Sequence, residues 1–102
     1  MASLYLGIDL GSSSVKVSIV DLNTSRAMAQ ATEPPDEMLI SAPMPGWAEQ
    51  DPSLWWQHTV HAIKAACKQL PSVGRATSEI QAIGIAYQMH GLVVLDAQGS
   101  PI

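Results

Sequence analysis

The chain has 102 residues, room for one domain and no more against the ~100–150 residues of a typical domain. Hydrophobic residues make up 47% and charged residues 14%, which excludes a disordered polyelectrolyte. Nine acidic residues against five basic ones leave a net charge of −4, which argues against a non-specific nucleic-acid binder, since such a binder needs a basic patch.

Leu4, Leu6, Ile8 and Leu10 alternate with Tyr5, Gly7 and Asp9, the period-two pattern of a strand. Gly11-Ser12-Ser13-Ser14 breaks it, and Val15, Val17 and Ile19 resume it, so the first two strands read as a β-hairpin. Asp21 to Ser25 is a second polar break, and Arg26 to Thr32 is expected as a third strand of an antiparallel meander. Residues 33–52 hold five of the seven prolines, each lacking the backbone donor that a ladder needs. This stretch is expected to run over the surface, anchored by Met38, Leu39, Ile40 and Trp47.

Asp51-Pro52 opens a helix: Asp51 can cap free amides and proline suits the first helical position. Trp56, Val60, Ile63, Cys67 and Leu70 then form an apolar stripe, with Gln57, His61, Lys64 and Lys68 on the wetter side and Pro71 as the stop. From Ile80 to Tyr87 apolar residues occupy both alternating sets, so a central strand buried on both faces is expected, reached by a crossover into a parallel position. After the interruption at Gln88-Met89-His90-Gly91, Leu92 to Leu95 reads as a further short strand and Asp96 to Gly99 as a turn. The order βββ-α-β-β predicts an α/β domain with a mixed sheet.

Two segments carry chemistry. In Ile8-Asp9-Leu10-Gly11-Ser12-Ser13-Ser14-Val15-Lys16 a tight turn exposes backbone amides, and three hydroxyls add donors. Converging amides and hydroxyls make an anion site, Lys16 can lend charge, and Asp9 can hold a hydrated magnesium ion. Phosphoryl transfer divides its labour in this way. Asp-x-Gly-Ser-Ser is also ordinary hairpin chemistry, in which Asp9 and the serines satisfy turn amides. Gln88-Met89-His90-Gly91 sits where a strand ends, a common place to meet a ligand. Gln88 and His90 suit a polyhydroxylated molecule and Met89 offers an adaptable apolar wall.

The other candidates read as structure. Cys67 is alone, so it can form neither an internal disulfide nor a thiolate metal cluster. His58 and His61 lack acidic or cysteine partners at ligand spacing, and Trp47, Trp55 and Trp56 read as packing anchors. No run reaches the ~18 apolar residues of a membrane span, and the N-terminus lacks the basic-then-apolar pattern of a signal peptide. No membrane contact, no nucleic-acid partner and a cytoplasmic setting are therefore expected.

Taken together, these segments resemble the N-terminal end of the FGGY carbohydrate kinases, the xylulokinase branch in particular. Tyr5 to Lys16 resembles the family's first phosphate motif. Gly46-Trp47-Ala48-Glu49-Gln50-Asp51-Pro52, followed by Leu54-Trp55-Trp56, resembles a segment typical of that branch, and Ala82 to Gly91 the stretch that holds the sugar. The resemblance implies an RNase H-like, actin-type ATPase fold, with residues 1–102 forming the N-terminal portion of the family's N-terminal domain. It implies ATP with Mg²⁺ as phosphoryl donor and D-xylulose as acceptor, giving D-xylulose 5-phosphate. Asp9 matches the aspartate near metal and phosphates; Gly11, Ser12, Ser13 and Lys16 match the phosphate loop and the basic position after it; Met89 and His90 match the sugar-contact pair.

Family members are several times longer, and their catalytic-base aspartate and adenosine pocket match no residue here. The resemblance therefore implies a fragment that carries half a site, does not turn over alone, and self-associates through exposed apolar surface. Other FGGY kinases, for ribulose, gluconate, fuculose or glycerol, remain open as alternatives, as does a non-enzymatic actin-like nucleotide-binding module.

Overall fold

Strict alternation sets the first two strands, and the third completes their sheet. The computed structural model describes residues 3–89 and 91–102. It places β1 at Leu4–Leu10, β2 at Val15–Asp21 and β3 at Arg26–Glu33, joined as the antiparallel meander that the sequence predicts. One set of alternating side chains, Leu4, Leu6, Ile8, Val15, Val17 and Ile19, is buried, while Tyr5, Gly7, Asp9 and Lys16 stand exposed on the opposite face.

Helix α1, Pro52–Gln69, covers the buried face. The Asp51 carboxylate accepts from the Ser53 N–H at 2.9 Å and Pro52 occupies the first turn, as the sequence predicts. The other end is tied to β3: the Gln69 side chain donates to the Gln30 carbonyl at 2.6 Å and accepts from the Gln30 N–H at 3.1 Å. α1 lies over β2 and β3 and makes few contacts with β1. Its phase differs from the expected stripe. Ala62, Ala66 and Leu70 are fully buried, with Trp55, Ile63 and Cys67 packed beside them, whereas Trp56 is 70% exposed. Alanines let the helix sit close to the sheet, and a second tryptophan has no room beneath it. Burial pushes the Cys67 thiol up, which keeps it protonated.

Past α1 the chain makes a 3-10 turn over Leu70–Val73, with Pro71 inside it, and reverses at Gly74 in the left-handed conformation at φ 71°. A second 3-10 turn, Thr77–Glu79, leads into β4, Ile80–Tyr87, which lies parallel to β1. The sheet order is β3-β2-β1-β4. The parallel crossover is as expected, but among the described residues β4 stands at the edge of the sheet and is exposed along most of its length. Leu92 to Leu95 forms no strand; its contribution is a single bridge between Leu95 and Pro101. The Asp96 turn is present, its carboxylate accepting from the Gln98 and Ser100 N–H groups at 2.9 Å. In the 33–52 excursion Met38 alone of the expected anchors is buried, with Leu39, Ile40 and Trp47 exposed.

A polar knot closes the end of the sheet where β1 begins and β2 ends. Buried Asp21 accepts from Arg75 Nη1 at 2.7 Å, from Ser3 Oγ at 3.1 Å and from the Asn23 N–H at 2.9 Å. Arg75 Nε donates to Glu79 at 2.9 Å, and Glu79 also accepts from the Ala76 N–H at 2.8 Å. The Arg75 hydrogen bond holds the Asp21 carboxyl below its ordinary value of 3.8. The Ala76 N–H, with Arg75, holds Glu79 below 4.5.

Depressed folded-state values mean that these carboxylates add stability above their unfolded values and lose it as pH falls through the folded ones. The melting temperature is expected to be level near neutrality and to fall as the pH drops from about 4.5 to below 3.8. Melts from pH 7 to 3 check this. Asp21→Asn should start lower and flatten the acid slope; an unchanged slope would remove the knot from the account.

Candidate functional site

The turn between β1 and β2 is tight. The Gly11 N–H donates to the Ser14 carbonyl at 3.0 Å, and a Cβ on Gly11 would stand 3.1 Å from that same oxygen, so a side chain here would crowd the turn. Two outside donors take the loop's carbonyls. The Met38 N–H reaches the Ser13 oxygen at 2.7 Å, and Gln50 Nε2 reaches the Ser12 oxygen at 2.6 Å. The amides and hydroxyls of Ser12 and Ser13 have no partner among the described residues, which leaves them available to an anion.

Gln50 is the residue that sequence reasoning missed. Its Oε1 also accepts from Trp55 Nε1 at 3.1 Å, so one amide joins the serine loop to the first turns of α1. Nothing in the local pattern marks it, because its serine-loop partner, the Ser12 carbonyl, comes from a distant part of the chain. Trp55, expected as a packing anchor, does pack against the core and also walls the cleft.

β4 ends beside this loop. The Gln88 N–H donates to the Leu10 carbonyl at 2.9 Å, setting Gln88 and Met89 at the carboxyl ends of two parallel strands, where open α/β sheets place ligands. A cleft of about 550 Å³ opens here, lined by Ser12, Gln50, Trp55, Gln88 and Met89 with Leu92 to Val94 behind them. It gathers the serine loop, the 46–56 segment and the 82–91 segment at one place. Gln88 Nε2 is buried and unpartnered among the described residues, a donor free for a ligand oxygen. Met89 is exposed at the rim. His90 lies outside the described residues.

Asp9 and Lys16 do not line this cleft. They are cross-strand neighbours on the face of the sheet away from α1. There they border a second hollow of about 470 Å³ with Gly7, Ser18, Gly84 and Ala86. The small residues leave the carboxylate and the ammonium group standing above a low floor. A lone exposed carboxylate suits a magnesium ion that keeps most of its water, and hydroxyls with an ammonium group suit phosphate oxygens, so the donors present fit both. No group of three or more His, Cys, Asp or Glu capable of holding a metal occurs among the described residues. Among them, too, no helix is long and apolar enough to cross a membrane.

The family model described as the N-terminal domain of the FGGY family of carbohydrate kinases matches residues 4–102. This chain belongs to the FGGY family. A xylulose kinase of Escherichia coli is 42% identical over 95 residues, which cover 93% of this chain and 18% of that kinase. A xylulose kinase of Klebsiella pneumoniae is 38% identical over 93 residues, covering 91% and 17%. The crystal structure of a xyloylose kinase from Brucella ovis superposes with a TM-score of 0.81 at 38% identity, covering 96% of this chain and 19% of that one. This FGGY chain thus spans under a fifth of the relatives it matches. Its four-stranded mixed sheet with helix α1 packed on it matches the N-terminal domain of xylulose kinases, the actin-like ATPase fold that the resemblance implies.

Proposed function

We propose that residues 1–102 form the N-terminal portion of the N-terminal domain of an ATP-dependent kinase that phosphorylates D-xylulose to D-xylulose 5-phosphate. The observation that carries this reading is the single cleft that gathers Ser12, Gln50, Trp55, Gln88 and Met89 from three separated segments. Ser12 and Ser13, on the turn that Gly11 makes possible, hold phosphate oxygens through their amides and hydroxyls, and Lys16 adds a positive charge. Asp9 holds hydrated magnesium, which when bound neutralises charge on the transferring phosphoryl group. Gln88 Nε2 and His90 bond sugar hydroxyls, and Met89 walls the apolar side. With the chain spanning 18% of the Escherichia coli xylulose kinase, the remainder of the site lies elsewhere, and this chain alone does not turn over.

A chimera tests the reading. Residues 4–102 would replace the matching stretch of the Escherichia coli xylulose kinase, and ADP release would be followed with D-xylulose, ribulose, gluconate and glycerol. Xylulose should be the preferred acceptor, at a rate within about tenfold of the parent and in the ~1–100 s⁻¹ range of kinases. A chimera that melts like the parent and binds ATP, yet ignores xylulose, would overturn the assignment. So would turnover by the isolated chain at a rate near the parent's, since loss of a positioned base alone costs about 10²–10⁴-fold.

A further inference from the structure

We propose that Gln50 is a positioning residue for phosphoryl transfer, one that sets the Ser12–Ser13 peptide so that the Ser13 N–H meets the phosphate. This role rests on the kinase reading above, and Gln50 acts through the loop rather than on the substrate. Its side-chain amide is spent at both ends. Nε2 donates to the Ser12 carbonyl at 2.6 Å, and Oε1 accepts from Trp55 Nε1 at 3.1 Å. An indole nitrogen can only donate and a carbonyl oxygen can only accept, so both partners demand the same orientation of the amide. Neither anchor is loose. Trp55 packs against the core, and its carbonyl takes the Thr59 hydroxyl at 2.7 Å. The backbone is pinned on each side of Gln50: Glu49 exchanges two bonds of 2.7 Å with Ser41, and Asp51 caps α1.

What this does to the loop follows from the peptide unit. The Ser12–Ser13 peptide is planar and trans, so its carbonyl and its N–H point in opposite directions. Holding the Ser12 oxygen toward Gln50 therefore holds the Ser13 N–H away from Gln50 and Trp55. The next peptide is set in the same manner: the Met38 N–H takes the Ser13 carbonyl at 2.7 Å, and the Ser14 N–H is turned away from Met38. Two successive amides are thus oriented from behind by donors that lie outside the loop, and successive N–H groups held in this way make an anion site. Without Gln50 the Ser12 peptide is free to rotate, and an amide that must find its direction during the reaction stabilises the transition state less than one already aimed.

Gln50→Met in the kinase chimera keeps the length of the side chain and removes both bonds. The kcat/KM for ATP should fall about tenfold or more, since small misplacements of a reacting group are costly. The KM for D-xylulose should stay within about twofold and the melting temperature within about 3 °C. Gln50→Glu still accepts from Trp55 but has no donor for the Ser12 carbonyl, so its kcat/KM for ATP should fall at least as far. Trp55→Phe frees the amide to turn over. Because Trp55 reaches the loop through Gln50, the two substitutions together should lower kcat/KM for ATP no further than Gln50→Met alone. Unchanged ATP kinetics, a loss that falls on the KM for D-xylulose, losses at Gln50 and Trp55 that add, or an early melt of both Gln50 variants would each overturn the role while leaving the kinase reading in place. A folded chimera inactive before any of these substitutions would overturn the kinase reading, and the role with it.

Discussion

Asp9→Asn in the kinase chimera is expected to lower kcat by about 10²–10³-fold, the size of effect seen when one preorganised electrostatic contact to the transferring group is lost. Asparagine keeps the shape and the hydrogen-bonding capacity of aspartate and removes the charge. Asp9 is exposed, sits on the face away from α1 and borders the shallow hollow with Lys16 and Gly84, so its removal takes nothing from the core. The melting temperature should therefore move by no more than about 2 °C. The competing account, in which Asp9 serves the β1–β2 turn, expects the reverse: an earlier melt with retained specific activity. Measuring kcat and melting on the same preparation separates the two.

Ile19→Ala should have the largest effect on stability. Ile19 is fully buried in β2, with Leu6 beside it on β1 and Ala29 on β3. Truncating a buried isoleucine costs about 2–5 kcal/mol, the transfer of the lost methylenes plus the cavity left behind. A domain of this size holds only about 5–15 kcal/mol in total. At about 4–8 °C per kcal/mol, the melting temperature should fall by about 10 °C or more. Trp56→Ala is the paired control. The tryptophan is larger, yet it is mostly exposed, and its loss should cost far less. Urea unfolding of both variants checks the order. A Trp56 variant as unstable as the Ile19 variant would return the helix to the phase first expected from its sequence.

That helix shows where sequence reading stops. Its beginning was legible because capping is local: Asp51 and Pro52 act on amides within one turn. Its phase was not, because hydropathy weights Trp56 and Val60 above alanine, while close packing on a sheet favours Ala62 and Ala66. The meander was legible for the opposite reason. Strict alternation on β1 and β2 leaves one face that can be buried, and a one-residue slip would expose all of it. β4 was read as central since apolar residues fill both of its faces. Composition records what a strand can bury, and the sheet order records what covers it, which on the Ile83, Ile85 and Tyr87 face is nothing among the described residues. For the site, the serine loop and the Gln88-Met89 segment were visible as motifs. Their meeting in one cleft depends on the pairing of β4 with β1 and the Gln88 N–H bond to the Leu10 carbonyl, contacts between distant parts of the chain that no local pattern announces.

The knot at Arg75 bears on the order of assembly. The hairpin and the meander close through near neighbours, and α1 propagates by itself. The Arg75–Asp21 contact, however, spans 54 residues, and Arg75 to Ser3 spans 72. Loop closure over such distances costs chain entropy before any contact repays it, and non-local pairings of this kind slow folding. The carboxylate of Asp21 is therefore expected to stay hydrated on the hairpin until Arg75 reaches it, and Asp21→Asn should slow refolding in stopped-flow measurements little if that contact forms late. Capture of Arg75 is then expected to bring the start of β4 to the start of β1, at the end of the sheet opposite the cleft.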